Sequence, residues 1–363
     1  MQAIRSGHLT AFFLFDVAEA IDLPRVRDLV GPTVPSRLAP KPATPPYVQY
    51  QQPPIAVSAD SVGAASMPGF TVRLKVFDYG IVSVALSRSI AGPWDALVAQ
   101  GPEWLGNPAL EQSAEATCRA LVGRIAPALD AARADYLSED YLVFAVHAFD
   151  ETVTADALIR TRGADIARLL RAEREPLSLQ EQEEVFRHRI SFYETDVVVP
   201  TWSSAFVYDT EEGAQAALEI FEFANSQLLQ FRYYDGLLDS ELTRIYAQLQ
   251  SPVPLENWRA GRFTKAARQV QSLFIDVNEL TDRTENALKF VGDVYAARLF
   301  GLAAARLGLD QWKASVRQKL RTLDDIYKFA VERTALVRGE FLEASIVLIL
   351  VFELVLIFLG IMD

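Results

Sequence analysis

The chain has 363 residues, which is long for one compact domain and predicts two folded units, or one unit with a helical extension. Hydrophobic residues make up 50% and charged residues 23%, values that exclude wholesale disorder and the collagen-like and disulfide-scaffold classes. The net charge of −12 argues against a chain that wraps nucleic acid over most of its surface. One cysteine and three histidines are too few for a disulfide framework or a Cys/His zinc cluster within one chain.

Residues 1–68 divide into two segments. Residues 1–30 are interpreted as a strand–helix unit, because HLTAFFLFDV has β character and LPRVRDLV has helical spacing. Residues 31–68 begin with a proline-dense run that can form neither a helix nor a central strand. We expect this second segment to be a linker or a strap across the domain surface. A docking ligand for a proline-reading partner is the alternative.

Residues 69–209 alternate between strand and helix patterns, which predicts an α+β head domain. The first two strands turn at Asp78–Gly80, where Asp and Gly suit a tight turn. Strand patterns lie at 69–87, 141–149 and 196–209, and helical patterns lie at 94–134, 165–174 and 181–189. The pattern leaves the strand order open.

Residues 210–340 are helical in pattern throughout and predict a long antiparallel helical hairpin or coiled-coil stalk. Asp209 with Glu212 resembles a capping box at the start of the first long helix, and the prolines of SPVPLENW end that helix. Gly308 is a stop signal before the last helix, so the chain is expected to fold back there.

An apolar seam with a period of about 3.5 residues runs through this stalk and predicts self-association. Its members are Leu273, Val277, Leu280, Val291 and Val294. A homo-oligomer that assembles through this seam is the expected form of the protein.

The last apolar run, residues 341–362, reads FLEASIVLILVFELVLIFLGIM and predicts one C-terminal transmembrane helix. As a helix this run is about 33 Å long, close to the hydrocarbon thickness of a bilayer. Basic residues lie on its N-terminal side, among them Lys328, Arg333 and Arg338, so the bulk of the chain is expected on the cytoplasmic side. The predicted protein is therefore tail-anchored, and a bacterial inner membrane is its expected location.

Glu353 lies near the middle of this apolar run, where an ionised carboxylate is costly. One interpretation is a neutral carboxyl that shares a hydrogen bond with a neighbouring helix in a homo-oligomer. The others are a position on a proton or cation path, and snorkelling of the side chain toward the interface.

Catalytic and metal-binding motifs are absent: no Walker A, GxGxxG, HExxH or GxSxG pattern occurs, and no catalytic residue, metal or cofactor is predicted. His147 lies near Asp150 and Glu151, and the three are candidate metal ligands. A polar cluster at a strand end is the favoured interpretation, because no second histidine is near in the sequence. Asp16 and Asp22 are interpreted as solvated or helix-capping acids.

A basic cluster in the stalk has two interpretations. Its members recur at helical spacing and are Arg259, Arg262, Lys265 and Arg268. Contact with anionic lipid headgroups accounts for them. Direct contact with RNA is disfavoured, because no aromatic stacking platform accompanies these residues.

Three segments give the chain a resemblance to a known family. They are FDYGIVSV at 77–84, YETDVVVPTWSSAFVYD at 193–209 and LTDRTENALKFVGDVY at 280–295, followed by the apolar C-terminal run. In this order and spacing the chain resembles the required for meiotic nuclear division family over residues 70–363. The matching residues are Phe77, Asp78, Tyr79, Gly80, Asp196 and Asp293. The resemblance implies a membrane-anchored, self-associating protein without known enzymatic activity, whose mitochondrial members are linked to the organisation of translation.

The favoured hypothesis is a non-enzymatic, tail-anchored membrane scaffold or tether. It self-associates through its stalk and binds an unknown protein partner through its head, with a link to translation implied by the resemblance. The first alternative is a homo-oligomeric channel or transport component that uses Glu353. The second is an enzyme with a dispersed site in the α+β head. The lipid bilayer, further copies of the chain and a protein are the expected partners.

Overall fold

The computed structural model describes residues 3–31, 34–35, 53–59, 68–250, 272–279, 281 and 294–358. Side-chain surroundings are described for these residues except 34–35, 248–250, 329–344 and 352–358. The chain divides into two compact units. Unit 1 comprises Met1–Tyr233 and Leu280–Lys313, and unit 2 comprises Tyr234–Glu279 and Ala314–Asp363.

A mixed eight-stranded sheet forms the frame of unit 1, and a two-stranded sheet accompanies it. The strands are β1 (Ala3–Asp16), β2 (Ala20–Ile21), β3 (Val34–Pro35), β4 (Ile55–Ser58), β5 (Thr71–Val76), β6 (Ile81–Pro93), β7 (Leu129–Asp130), β8 (Leu137–Phe149), β9 (Val197–Pro200) and β10 (Ser204–Tyr208). The large sheet has the order β3-β4-β5-β6-β1-β8-β10-β9, and β2 pairs with β7. Neighbouring strands are antiparallel except for β8 and β10, which are parallel.

The central position of β1 follows from its apolar character on both faces. Every residue from Leu9 to Asp16 is buried, and strands buried on both faces read as continuous apolar runs. β1 pairs along its length with β6 on one side and with β8 on the other. The predicted N-terminal strand is confirmed, but the prediction of a separate unit at 1–30 is wrong, because β1 is the centre of the head sheet.

Helices cover one face of this sheet. They are α1 (Leu23–Val30), α2 (Trp94–Gln100), α3 (Pro108–Ile125), α4 (Ala155–Arg171) and α5 (Leu179–Arg187). One hydrophobic cluster joins Leu9 and Phe13 of β1 to Trp94, Leu121 and Leu158 of these helices. The predicted α+β class of the head is therefore confirmed.

The first part of α6 (Glu211–Gln250) covers the opposite face of the sheet. Every residue from Ala217 to Phe231 is buried, although the spacing of the sequence showed only one apolar stripe. α8 (Val294–Arg306) packs on this segment, with the ring centroids of Phe223 and Phe300 5.7 Å apart. A helix in this position is enclosed on all sides.

Of three predicted helix boundaries, two can be compared with the structure. The cap of α6 is Thr210 rather than Asp209, because the Thr210 hydroxyl accepts the N–H of Gly213 at 3.2 Å. α6 is described to Gln250, and the predicted break after it lies outside the described residues. The stop at Gly308 is confirmed, since α8 ends at Arg306, Gly308 has a φ of 69°, and α9 (Leu309–Phe358) follows.

In unit 2 the long helices α6 and α9 run in the same direction. Asp235 accepts a hydrogen bond from Ser315 at 2.7 Å and pairs with Lys319 at 2.8 Å. Further along both helices, Arg244 donates to the hydroxyl of Tyr327 at 3.4 Å. The hairpin predicted at Gly308 concerns consecutive helices, so it is not tested by this pair and stays a prediction.

The predicted oligomer seam is described in part. Val277, in the short helix α7 (272–279), is only 1% exposed within the single chain, and Leu273 is partly buried. Val294 is 76% exposed. Leu280 and Val291 lie outside the described residues.

The predicted C-terminal features lie in α9. Among the helices that the structure describes, none combines the length and the apolar character that a membrane crossing requires. Lys328 is exposed and pairs with Asp324 at 2.6 Å. The side chains of Arg333, Arg338 and Glu353 lie outside the described residues.

Gly80 closes the turn between β5 and β6, and we predict that alanine is poorly tolerated there. Its φ of 85° is left-handed, and a Cβ would overlap the carbonyl oxygen of Ala18. Gly69 is a matched control, since its φ is 80° but nothing lies within 4 Å of the place of a Cβ. In thermal unfolding of the full chain, Gly69→Ala should cost the backbone strain of about 1–2 kcal/mol, and Gly80→Ala clearly more. Equal losses would contradict the close contact at Ala18.

Candidate functional site

The β5–β6 turn carries four of the residues that matched in the sequence resemblance, namely Phe77, Asp78, Tyr79 and Gly80. The turn packs against the segment after β1. The N–H of Val17 donates to the carbonyl oxygen of Gly80 at 2.9 Å, and the N–H of Ile21 donates to that of Asp78 at 2.7 Å. The turn role predicted for Asp78 is thus confirmed.

Tyr79 joins this turn to α6 through a buried chain of hydrogen bonds. Gln227 Nε2 donates to the Tyr79 hydroxyl at 3.1 Å, and that hydroxyl lies 2.7 Å from Ser226 Oγ. Ser226 donates to the carbonyl oxygen of Phe223 at 2.7 Å, so the Tyr79 hydroxyl is the donor to Ser226. Gln230 Nε2 also donates to the carbonyl oxygen of Tyr79, at 2.9 Å. Each of these buried groups has a partner on the other element.

Two ion pairs also connect the sheet to α6. Lys75 of β5 pairs with Glu222, and Glu139 of β8 pairs with Arg232. Lys75 and Glu139 lie on one row of cross-strand neighbours that spans β5, β6, β1 and β8. Burial raises the pKa of Glu139, and the positive charge of Arg232 opposes this shift. Removal of one partner would leave an uncompensated charge in the interior.

A third ion pair contains Asp16, at the end of β1. Asp16 is fully buried, its Oδ1 lies 2.9 Å from Arg133 Nε, and the guanidinium of Arg133 lies 3.8 Å from the ring centroid of Tyr233. Burial raises the pKa of Asp16 to about 6, with Arg133 acting in the opposite direction. The prediction of a solvated or capping acid is wrong for Asp16, since it lies in the central strand. It is correct for Asp22, which accepts the N–H of Arg25 and caps α1.

The sequence suggested that His147 has no histidine neighbour, but in the structure a second histidine lies beside it. The Nε2 of His147 lies 2.8 Å from Nδ1 of His8 on the neighbouring strand β1. Burial lowers the pKa of His147, and His8 contributes to the same shift. Asp150 and Glu151 are exposed. Within the described ranges, no three His, Cys, Asp or Glu side chains are placed to hold a metal ion together. The favoured interpretation of a polar cluster missed the second imidazole, because 139 residues separate the two.

Asp196, another residue of the resemblance, supports the loop before β9. Its carboxylate is buried and accepts the backbone N–H groups of Phe192 at 2.8 Å and of Tyr193 at 2.6 Å. These bonds give Asp196 a structural role in the loop. Asp293 lies outside the described residues.

We use the name polar layer for the set of paired side chains between the sheet and α6. Its members are Lys75, Tyr79, Glu139, Glu222, Ser226, Gln227, Gln230 and Arg232. The layer is an interior structure rather than an open cleft. The role of the polar layer is structural, because its hydrogen bonds and ion pairs determine where α6 lies on the sheet.

Surface depressions of unit 1 lie elsewhere. One of about 590 Å³ is lined by Arg25 and by the acids Asp22, Asp78 and Asp130. Another of about 420 Å³ lies along α4 and α5 and is lined by Arg160, Arg187 and Arg189. Neither contains a member of the polar layer.

These features define an α+β protein whose mixed sheet carries a fully buried helix on one face. Residues 6–215 match the family described as Uncharacterized protein MJ0711, N-terminal domain. Because this match spans more than half of the chain, the chain belongs to that family. The match begins within β1, includes β2 to β10 and ends near the start of α6.

A relative in this family is Uncharacterized protein MJ0711 of Methanocaldococcus jannaschii. The two are 24% identical over 226 residues, which are 61% of this chain and 67% of the relative. No solved structure matches the chain. The resemblance to the required for meiotic nuclear division family is not addressed by these matches and stays a prediction.

Tyr79→Phe tests the polar layer, because it removes one hydroxyl and leaves the ring in place. It removes the hydrogen bonds of the Tyr79 hydroxyl with Gln227 and with Ser226. We expect a loss of about 1–3 kcal/mol in the free energy of unfolding, measured by urea denaturation of the full chain. Tyr193→Phe is the matched control, since Tyr193 is 69% exposed, and it should change stability by less than about 0.5 kcal/mol. Equal effects of the two changes would contradict the idea that the polar layer contributes to stability.

Asp16 should make stability depend on pH in a defined direction. Its pKa is raised from 3.8 to about 6 in the folded chain, so the folded state binds a proton between these values that the unfolded state has lost. The contribution of Asp16 is present below about pH 4 and is lost as the pH rises through about 6. The free energy of unfolding of the wild type, taken relative to that of Asp16→Asn, should therefore be higher at pH 4.5 than at pH 7.5. The expected difference is at least the free energy that corresponds to about one pKa unit. A relative stability that increases with pH would show that the pairing with Arg133 outweighs burial.

Proposed function

We propose that this protein is a non-enzymatic, membrane-anchored scaffold. The C-terminal part of α9 enters the lipid bilayer, and unit 1 binds a protein partner. The basic residues that precede the apolar run, Lys328, Arg333 and Arg338, favour a cytoplasmic position of the bulk of the chain.

The observation that carries the proposal is the exposure of the apolar end of α9. Six consecutive side chains, from Ile346 to Val351, are each 55% to 72% exposed. Consecutive residues of a helix point in all directions around its axis, so this segment has no polar side to face water. The sequence continues to Met362 with apolar residues and one acid, Glu353, which gives the run the length of a bilayer crossing. Contact with lipid removes this surface from water.

An exposed tryptophan on unit 1 supports the proposal that this unit binds a protein partner. Trp202 is 68% exposed at the turn between β9 and β10. The turn itself is held rigidly: the N–H of Thr201 donates to the Ser204 carbonyl at 2.7 Å, Ser204 Oγ donates to the Leu170 carbonyl at 2.8 Å, and the Tyr141 hydroxyl donates to the Ser204 carbonyl at 2.8 Å. Tryptophan is enriched among residues that dominate binding energy at interfaces.

Self-association is a further part of the proposal. In α7, Phe274 is 40% and Ile275 is 62% exposed, and these side chains support a contact between copies of the chain. Val277 is already covered within one chain. We therefore place the proposed contact between copies on the face of α7 next to the seam predicted from the sequence.

The conducting alternative depends on Glu353, whose side chain lies outside the described residues, so that alternative stays a prediction from sequence. The enzyme alternative needs a substrate site. The polar layer does not supply one, because its groups are buried or half-buried and are paired with each other.

Membrane extraction tests the anchor. The full chain is expressed, membranes are washed with alkaline carbonate, and pellet and supernatant are compared. Leu348→Asp with Leu350→Asp places two acids in the apolar run, each costing about 3 kcal/mol on an insertion scale. Leu348→Ala with Leu350→Ala is the matched control, because it removes the same apolar groups without adding charge.

We expect the wild type and the alanine control in the pellet and the aspartate variant in the supernatant. Release of the wild type by carbonate would refute the anchor. Retention of the aspartate variant would show that the membrane association arises elsewhere in the chain.

A further inference from the structure

We propose that His8 and His147 together bind one divalent transition-metal ion of the zinc type, from the 2.8 Å approach of their ring nitrogens across two neighbouring strands. The site lies in the sheet, apart from the C-terminal segment that carries the proposed function. It is a second, independent property of the chain.

The fold aims the two imidazoles at one point through an irregularity between β1 and β8. His8 lies opposite Ala145, Gly7 lies opposite Val146, and Ser6 lies opposite Ala148. His147 is therefore the extra residue of a β-bulge. A bulge redirects a side chain relative to the regular alternation of a strand, and it does so through the backbone, so the direction is built in.

The donor atoms have the arrangement that metal-binding histidines require. Nδ1 of His147 lies 3.4 Å from the carbonyl oxygen of Asp209, which favours a proton on Nδ1 and leaves the lone pair of Nε2 directed at His8. A backbone carbonyl that accepts the second ring N–H is a common way to orient a metal-binding imidazole. When His8 carries its proton on Nε2, its Nδ1 lone pair is directed at the same point. Without a metal, one proton lies between the two nitrogens.

The size of the site suits a zinc-type ion after a small adjustment. Two nitrogens bound to one tetrahedral Zn²⁺ at about 2.0–2.1 Å lie about 3.3 Å apart. The pair has to open by about half an ångström from the hydrogen-bonded distance, which rotation of two half-buried rings provides. Both rings are partly exposed, so water can occupy the remaining positions.

A negative charge at the start of α6 acts on His147. The carboxylate of Glu211 acts electrostatically on His147. Glu211 and Glu212 lie in the first turn of α6, where they offset the positive end of the helix dipole. Imidazole ligands select Zn²⁺, Cu²⁺ and Ni²⁺ over Mg²⁺ and Ca²⁺, which prefer oxygen. Two protein ligands predict a weaker site than the four of a structural zinc centre.

Because the chain has few histidines, each can be replaced in turn to test the proposed metal site. The chain has three histidines, and the third, His188, lies at the end of α5 and is the matched control. The purified full chain is freed of metal with a chelator and titrated with Zn²⁺ in competition with a chromophoric chelator. Wild type and His188→Ala should bind one Zn²⁺ per chain with the same affinity, and His8→Ala and His147→Ala should each lose about tenfold or more.

Two further measurements separate loss of ligand from loss of fold. Circular dichroism of each metal-free variant reports folding, and His8→Gln provides a second substitution of similar size. Addition of Zn²⁺ should raise the Tm of the wild type and of His188→Ala only, because an ion that binds the folded state stabilises it. No Zn²⁺ binding by the wild type, or equal loss in His188→Ala, would overturn the proposal. Retained binding in folded His8→Ala would overturn it as well.

Discussion

The complete burial of α6 between Ala217 and Phe231 is the constraint on which unit 1 depends. A helix enclosed on all sides brings polar side chains into the interior, where each unpaired group costs about 1–3 kcal/mol. Tyr79 and two ion pairs supply the partners from the sheet. These bonds form at one rotation and one axial position of the helix only. The polar layer therefore selects the position of α6, while apolar burial supplies most of the driving force.

The interior of unit 1 contains charge, although the protein as a whole is acidic. Lys75 and Arg133 each pair with a buried carboxylate. From the sequence alone, such charged side chains would be placed at the surface. Desolvation reduces the net gain from such pairs, so they contribute less to stability than to the choice among alternative packings. We interpret them here as determinants of the register between the sheet and the elements that cover it.

The two proposals rest on separate parts of the chain. The anchor depends on apolar side chains near the end of α9, and the metal site depends on two imidazoles of the sheet. Membership in the MJ0711 N-terminal family concerns residues 6–215, which include both histidines and end before the apolar run. The result of either experiment therefore leaves the other proposal unaffected.

The sequence by itself determined the local structure: the α+β class of the head, the turn at Asp78–Gly80, and the helix boundary at Gly308. These features depend on residues a few positions apart, through turn chemistry, caps and apolar spacing. Only the tertiary structure decided that β1 is central, that Asp16 is buried, and that α6 runs parallel to α9. It also brought His8 to His147. Each of these depends on which distant segments pack together, and residues far apart in the chain leave no common pattern in a single sequence.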